Sequence, residues 1–323
     1  MKFLIAGVGS VGRRHLRNLL ALGEKDILLY RTHLSTLPDE EVAGFPVETN
    51  LAAALAHQPD AVIIANPTAL HIDVAVPAAA AGCHILLEKP ISHSLDKLEE
   101  LKQALQRGGG RLLVAFQYRF HPTLKLAASL LAAGDIGKPL SVRSHWGEYL
   151  PDWHPWENFK KSYAARADLG GGVVLTLSHP FDYLHWLLGP YTTIWARTAV
   201  TGALGIQVED IADAVLGFSN GAVGTVHLDY LQRPATHLLE IIGTHGTLRW
   251  ENATGIVSVY RANHSSWEHF HPPAEFERNC LFLDEMRHFI AVARSAAVPV
   301  CSLDDGVQAL ETALCIQSQG RRP

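Results

Sequence analysis

The sequence predicts an α/β protein: a doubly wound parallel sheet over residues 1–120, followed over residues 121–323 by an α+β domain with an open, mainly antiparallel sheet. Three observations predict it. A short apolar run at residues 3–6 leads into Gly7-Val8-Gly9-Ser10-Val11-Gly12 and then a helix-forming stretch. Continuous apolar runs then alternate with alanine-rich segments as far as residue 116, the pattern of parallel strands buried on both faces and wound through helices. Beyond His121 the pattern changes to longer alternating segments separated by glycine turns, which reads as antiparallel sheet.

In chain order, strands are expected at 3–6, 27–30, 61–65, 84–87 and 112–116, with helices at 13–22, 51–57, 71–81 and 94–106 between them. The run Gly108-Gly109-Gly110 stops the last of these helices. In the second part a helix over 122–133 precedes strands at 141–149, 193–200, 212–218 and 222–230, the last two joined by Asn220-Gly221, a hairpin signal. A further hairpin turns at Gly243-Thr244-His245-Gly246 between 238–242 and 247–251. Two terminal helices, 280–293 and 304–317, complete the chain, with Ser302 and Asp304 as candidate caps.

Composition narrows the function. With 323 residues, 48% hydrophobic, the chain is long enough for two packed domains. A net charge of -5 and the lack of any basic cluster beyond pairs such as Arg13-Arg14 argue against a nucleic-acid partner. Because no apolar run reaches membrane-spanning length, a cytoplasmic protein is expected. Cys83, Cys280, Cys301 and Cys315 show no paired spacing and read as buried thiols. His264, His269 and His271 lack helical pairing or an acidic partner in register, so no metal site is expected.

Ligands of doubly wound sheets lie beyond the carboxyl ends of the strands, and the informative residues fall there. Gly7 permits the tight turn, Gly9 admits a pyrophosphate to the backbone and Gly12 allows close helix packing, with the helix N-terminus facing the anion and Ser10 and Val11 also expected to contact the cofactor. Past the second strand, Arg31-Thr32-His33 stands where a carboxylate would bind a ribose 2′-hydroxyl, and no acid follows until Asp39. A guanidinium there suits a 2′-phosphate, so NADP(H) is expected in preference to NAD(H); the plainer reading is a solvent-facing arginine. Asn66-Pro67-Thr68 and His71 follow the third apolar strand, where they either hold the ribose and nicotinamide side of the cofactor or form an Asn-Pro turn capped by Thr68. Lys89, between Glu88 and Pro90 at the end of a buried strand, is placed to exchange a proton, a task that requires its pKa to fall from about 10.4. Glu88 is assigned to positioning. The sequence leaves open whether the Lys89–Pro90 bond is cis, the isomer that would turn Lys89 toward the cofactor.

These pieces together resemble the Gfo/Idh/MocA oxidoreductases, the glucose-fructose oxidoreductase and inositol dehydrogenase group, over nearly the whole chain. The resemblance rests on Gly7 to Gly12, Asn66-Pro67 with His71, Glu88-Lys89-Pro90, Gln117-Tyr118-Arg119-Phe120-His121-Pro122, and Gly170-Gly171-Gly172 leading to His179-Pro180-Phe181-Asp182. It implies a Rossmann domain with Gln117 beside the cofactor, a Lys89 that acts on a sugar or polyol hydroxyl, and homo-dimers or homo-tetramers formed through the C-terminal sheet. The glycines at 170–172 are expected to start a helix with free amides, in which His179 and Asp182 share a face, Asp182 orients the imidazole and Pro180 introduces a kink. Thr176 stands where relatives often carry an acid; a hydroxyl hydrogen-bonds a sugar but cannot relay a proton, which reduces the relay to Lys89 and His179. A buried structural histidine is the plainer reading of His179.

Arg119, Trp153 and Tyr163 are further candidates for substrate contact, against the alternative of a loop packed on its own aromatics. The expected activity is hydride transfer between nicotinamide and a carbinol or carbonyl carbon of a sugar, sugar acid, polyol or nucleotide sugar. A non-catalytic NADP(H)-binding sensor is the rival reading.

Overall fold

Strands β1 (Lys2–Ala6), β2 (Asp26–Tyr30), β3 (Val47–Glu48), β4 (Ala61–Ile64), β5 (His84–Glu88) and β6 (Leu112–Ala115) form one sheet in the order β3-β2-β1-β4-β5-β6, every pair parallel. This is a computed structural model, and it describes residues 1–32, 37 and 39–320. The middle strands are buried on both sides: Phe3, Leu4, Ile5, Val62, Ile63, Ile64, Ile85, Leu86 and Leu87 are all at 0% exposure, as their continuous apolar character requires. The sheet's helices are α1 (Ser10–Ala21), α2 (Leu51–Ala56), α3 (His71–Ala80) and α4 (Leu98–Gly108).

Two of these helix starts differ from expectation. Helix α1 begins three residues early because the glycine turn closes within Gly7–Gly9: Gly9 is the N-cap and its carbonyl accepts from Arg13 N at 3.0 Å. Helix α4 begins four residues late. Ser94 Oγ donates to Asp96 Oδ2 and accepts from Asp96 N, a local turn that competes with helix, and Lys97 follows at φ 58. The glycine stop works as expected, with Gly109 at φ 73 donating to Leu105 O.

The chain divides into two compact units. The first comprises Met1–Gln117, Asp168–Gly170 and Arg278–Leu310; the second comprises Tyr118–Ala167, Gly171–Glu277 and the segment from Glu311 onward. Helix α8 (Arg278–Ala293) thus belongs with the parallel sheet, as does the first part of α9 (Leu303–Gly320). Ser302 caps α9, its Oγ accepting from Asp305 N at 3.2 Å while Asp305 Oδ2 accepts from Ser302 N at 2.7 Å.

The second unit contains α5 (Pro122–Ala132), β7 (Pro139–Gly147), α6 (Val173–Thr176), α7 (His179–Leu188), β8 (Tyr191–Ala199), β9 (Ile211–Phe218), β10 (Val223–Asp229), β11 (Thr236–Gly243), β12 (Gly246–Glu251), β13 (Ile256–Arg261) and β14 (Ser266–Phe270). Its eight strands run β14-β13-β12-β11-β7-β10-β9-β8; only β7 and β10 pair in parallel. Burial alternates along β9 and β10, so one face is packed and the other is open. The β13–β14 hairpin was not among the expected elements. Val257 and Val259 are its buried positions, whereas β14 is exposed and carries no apolar alternation to announce it.

Candidate active site

The turn after β1 has the shape that an anionic ligand needs. Gly7 sits at φ +93, and a Cβ there would come 2.5 Å from Asn66 N; one on Gly12 would come 1.9 Å from Gly7 O. Both glycines are therefore forced by close backbone approach, between β1 and the exit of β4 and between α1 and its own turn. Gly9 differs: a Cβ on it would meet nothing within 4 Å. Steric crowding does not require glycine at position 9, and the open space above it suits a pyrophosphate that approaches the backbone. Ser10 and Val11 open α1, which has no side-chain cap and no acid in its first turn, so nothing there repels an anion.

Arg31 lies at the end of β2, buried, and its Nη1 pairs with Asp39 Oδ1 at 2.8 Å. The first acid after Arg31 is therefore its own partner. His33 lies outside the described residues. Asn66 donates from Nδ2 to Leu70 O at 3.1 Å, and Pro67 precedes a single turn of 3₁₀-helix at Thr68–Leu70. Buried His71 spans two carbonyls, with Nε2 2.9 Å from Asn66 O and Nδ1 2.9 Å from Pro90 O. Burial lowers its pKa against the pull of the carbonyls, and as a neutral ring it donates to one of the two carbonyls at a time. Gln117 is buried at the end of the first unit's opening segment.

Glu88 ends β5 and Lys89-Pro90 follows it directly; the Lys89–Pro90 bond is cis, and Lys89 is half-buried. Glu88 turns away from solvent to His15 on α1, with Oε1 2.7 Å from Nε2, while its Oε2 accepts from the Lys89 backbone N–H at 3.2 Å. Burial pushes the Glu88 carboxyl up, but the His15 hydrogen bond and the charges of His15 and Lys89 prevail and hold it below the usual range. Glu88 is therefore an ionised strut behind Lys89.

Sequence reasoning missed the other carboxyl of this region. Glu285 on α8 is at 0% exposure, neither oxygen has a hydrogen-bond partner, and burial followed by the Glu88 charge raises its pKa far above the usual value. It is held as the neutral acid. The signal was present in α8, where Glu285 interrupts the buried stripe of Leu281, Phe282, Met286 and Phe289.

In the second unit the glycine segment does not start one helix with free amides. Gly171 N donates to Arg166 O, Gly172 N to Ala164 O and Val173 N to Glu209 O, each at 2.9 Å. Gly172, at φ +109, faces the Glu209 carboxylate, which a Cβ would meet at 2.4 Å. The helix also breaks at Leu177: α6 is four residues long and α7 starts anew at His179. Pro180 consequently lies in the first turn, where no helical bond is lost and no kink arises.

Thr176, His179 and Asp182 are all about 2% exposed. Asp182 is gripped by Arg119, whose Nε lies 3.0 and 3.1 Å from the two carboxylate oxygens and whose Nη2 lies 2.7 Å from Oδ1. The pair that the sequence offered as imidazole-orienting acid and substrate-binding arginine is thus one buried, bidentate ion pair. His179 sits among aromatic rings, edge-on to Tyr118 at 4.8 Å and beside Trp146 at 5.6 Å. Trp153 packs edge-on to Tyr230 at 5.6 Å, and Tyr163 is 37% exposed. Lys89 belongs to the first unit, and Thr176, His179 and Asp182 to the second.

On the open sheet, among the described residues, His145, His227 and Asp229 form a cluster that the sequence did not disclose, because two strands contribute it.

The glycine turn on a parallel sheet, followed by this second unit, defines the class, and the chain belongs to the Gfo/Idh/MocA oxidoreductases. Residues 1–116 match the model of the oxidoreductase family with NAD-binding Rossmann fold, and residues 124–249 match the GFO/IDH/MocA C-terminal domain. Among individual relatives, an uncharacterized oxidoreductase of Synechocystis sp. is 31% identical over 62% of this chain and 57% of its own length. Levoglucosan dehydrogenase of Pseudarthrobacter phenanthrenivorans is 29% identical over 64% and 59%. The matched part of the chain therefore spans less than two thirds of either relative. Myo-inositol 2-dehydrogenase of Thermotoga maritima is 24% identical over 96% of this chain and 93% of its own. In fold the chain is similar to levoglucosan dehydrogenase solved with NADH and levoglucosan, with a TM-score of 0.87, 21% identity, and coverage of 99% of this chain and 97% of that one. No described helix is long and apolar enough to cross a membrane.

Proposed function

We propose that the protein is an NAD(P)-dependent dehydrogenase or reductase acting on a CH–OH group of a sugar, sugar acid, polyol or nucleotide sugar. The observation that carries this reading is Lys89, half-buried at the carboxyl end of β5 in the same sheet whose β1–α1 turn leaves open space over Gly9. Levoglucosan, xylose and inositol dehydrogenases among the relatives support the substrate class.

Gly7, Gly9, Ser10, Val11 and Gly12 cradle the pyrophosphate, with Asn66, Pro67 and Gln117 toward the nicotinamide side. The bound nicotinamide supplies the hydride acceptor or donor. Lys89 Nζ takes the hydroxyl proton in oxidation and returns it in reduction, His179 assists, and Thr176, Trp153 and Tyr163 contact the substrate. Glu88, His71 and the Arg119–Asp182 pair position these groups without touching the substrate. Arg31 favours NADP(H), to the extent that a 2′-phosphate competes with Asp39 for the guanidinium.

The test is nicotinamide absorbance with NADP⁺ or NAD⁺ and a panel of polyols, sugars, sugar acids and nucleotide sugars, with Lys89→Ala in parallel. Turnover that falls by about 100-fold or more in Lys89→Ala, with cofactor binding retained, is the expected result. Turnover that survives the substitution defeats the assignment of Lys89.

A further inference from the structure

We propose that His145, His227 and Asp229 bind one divalent transition-metal cation of the zinc class on the open sheet of the second unit. The register builds the group: β7 and β10 are parallel neighbours with His227 opposite His145 and Asp229 opposite Gly147, so all three side chains share a face. The two imidazoles stack at 4.6 Å, and one ligand atom from each of the three residues lies within 4.8 Å of the others. Two imidazoles and a carboxylate make a nitrogen and oxygen donor set suited to zinc.

What separates this group from a chance cluster is that each ligand is already oriented by a second partner. Asp213 Oδ1 lies 2.8 Å from His227 Nδ1, which leaves Nε2 as the coordinating nitrogen, 3.1 Å from Asp229 Oδ2. Metal-ligating histidines are held in this way, with the second ring nitrogen on a carboxylate. Asp229 Oδ1 is occupied by the backbone amides of Leu231 and Gln232, both at 2.7 Å, so Oδ2 is the oxygen turned toward His227. Gln232 donates from Nε2 to Thr236 Oγ1 at 2.6 Å, which fixes its amide so that Oε1 faces His145 Nε2 at 2.6 Å.

Gly147 supplies the space. A Cβ there would come 2.2 Å from Asp229 Oδ2 and 2.3 Å from Gln232 Oε1, and its φ lies outside the left-handed region, so crowding by these two oxygens is what calls for glycine. Zinc bonds of about 2.0–2.1 Å place tetrahedral ligand atoms about 3.3 Å apart. The ligand atoms, now up to 4.8 Å apart, close to that spacing when the metal binds, with water in the remaining position.

Calorimetric titration of the full chain with Zn²⁺, and visible absorption with Co²⁺, test the site. One equivalent per chain is expected, with the d–d spectrum of a nitrogen and oxygen site. His145→Gln, His227→Gln and Asp229→Asn should each weaken binding at least about tenfold, and Asp213→Asn, which removes no ligand, about 10–100-fold. Metal-free melting curves identify any variant that fails to fold; Asp213→Asn then carries the test. Absence of binding, binding unchanged in all four variants, or a thiolate-to-cobalt charge-transfer band abolished by Cys280→Ser or Cys315→Ser would overturn the proposal.

Discussion

Asp182 illustrates how a residue's role follows from what it faces. Its carboxylate is almost fully buried and held bidentately by Arg119, so removing either partner takes the counter-ion from a buried charge. Asp182→Ala is expected to cost about 3–5 kcal/mol in urea unfolding. Unchanged stability with reduced kcat would restore a direct catalytic role. Glu285 presents the opposite case, an acid kept neutral by burial. Its folded pKa lies above the unfolded value, so its contribution is fully present below the unfolded pKa and is lost as pH rises through the folded one. Glu285→Gln cannot ionise, so its unfolding free energy relative to the parent should rise from pH 5 to pH 8, at up to about 1.4 kcal/mol per pH unit. A constant margin would mean that Glu285 is already ionised. At Arg31 the cofactor preference is testable: Arg31→Ala is expected to raise KM for NADP(H) about tenfold and leave NAD(H) unaffected. Equal changes for both cofactors would assign Arg31 to its Asp39 pair alone.

At the scale of elements, buried His237 and His121 in the second unit have linked consequences. His237 on β11 is stacked on Trp146 at 4.3 Å, its Nε2 lying 3.2 Å from Tyr183 Oη. Burial, then the charges of His121 and His145, lower its pKa to about 3, and burial lowers that of His121 to about 4. The unfolded chain takes up protons near 6.5 while the folded one does not, so stability is lost as pH falls from 6.5 toward 4. Each histidine contributes up to about 1.4 kcal/mol per pH unit in that window. His237→Phe should flatten the dependence of the urea midpoint between pH 7 and pH 5; the same slope in both proteins would show that His237 is charged in the fold. The elements themselves were legible to different degrees. Buried parallel strands showed as continuous apolar runs because both faces are covered. The break at Leu177 was not legible, because residues 173–188 read as one helical stretch and the interruption accompanies amides satisfied by Arg166, Ala164 and Glu209, far from them in local pattern. The free-amide reading failed for the same reason.

For the whole molecule, the open sheet face carries Trp195 at 70% exposure, Val223 at 54% and Trp267 at 40%; register puts Val223 and Trp267 in one cross-strand row and Trp195 two residues away on the same face. Apolar side chains in that position suit self-association, and a dimer or tetramer by light scattering is the expected state, with Trp195→Arg shifting it toward monomer. A parent protein that is already monomeric would remove this reading. The sequence by itself determined the class of both sheets, the glycine turn and the lysine after β5, since each is written in consecutive residues through local sterics and hydrophobic period. The tertiary structure alone decided that Glu88 faces His15, that Asp182 belongs to Arg119, that Glu285 is a buried neutral acid and that His145 meets His227. Those pairings join residues far apart in the chain, and only strand register and helix packing bring them within hydrogen-bonding distance.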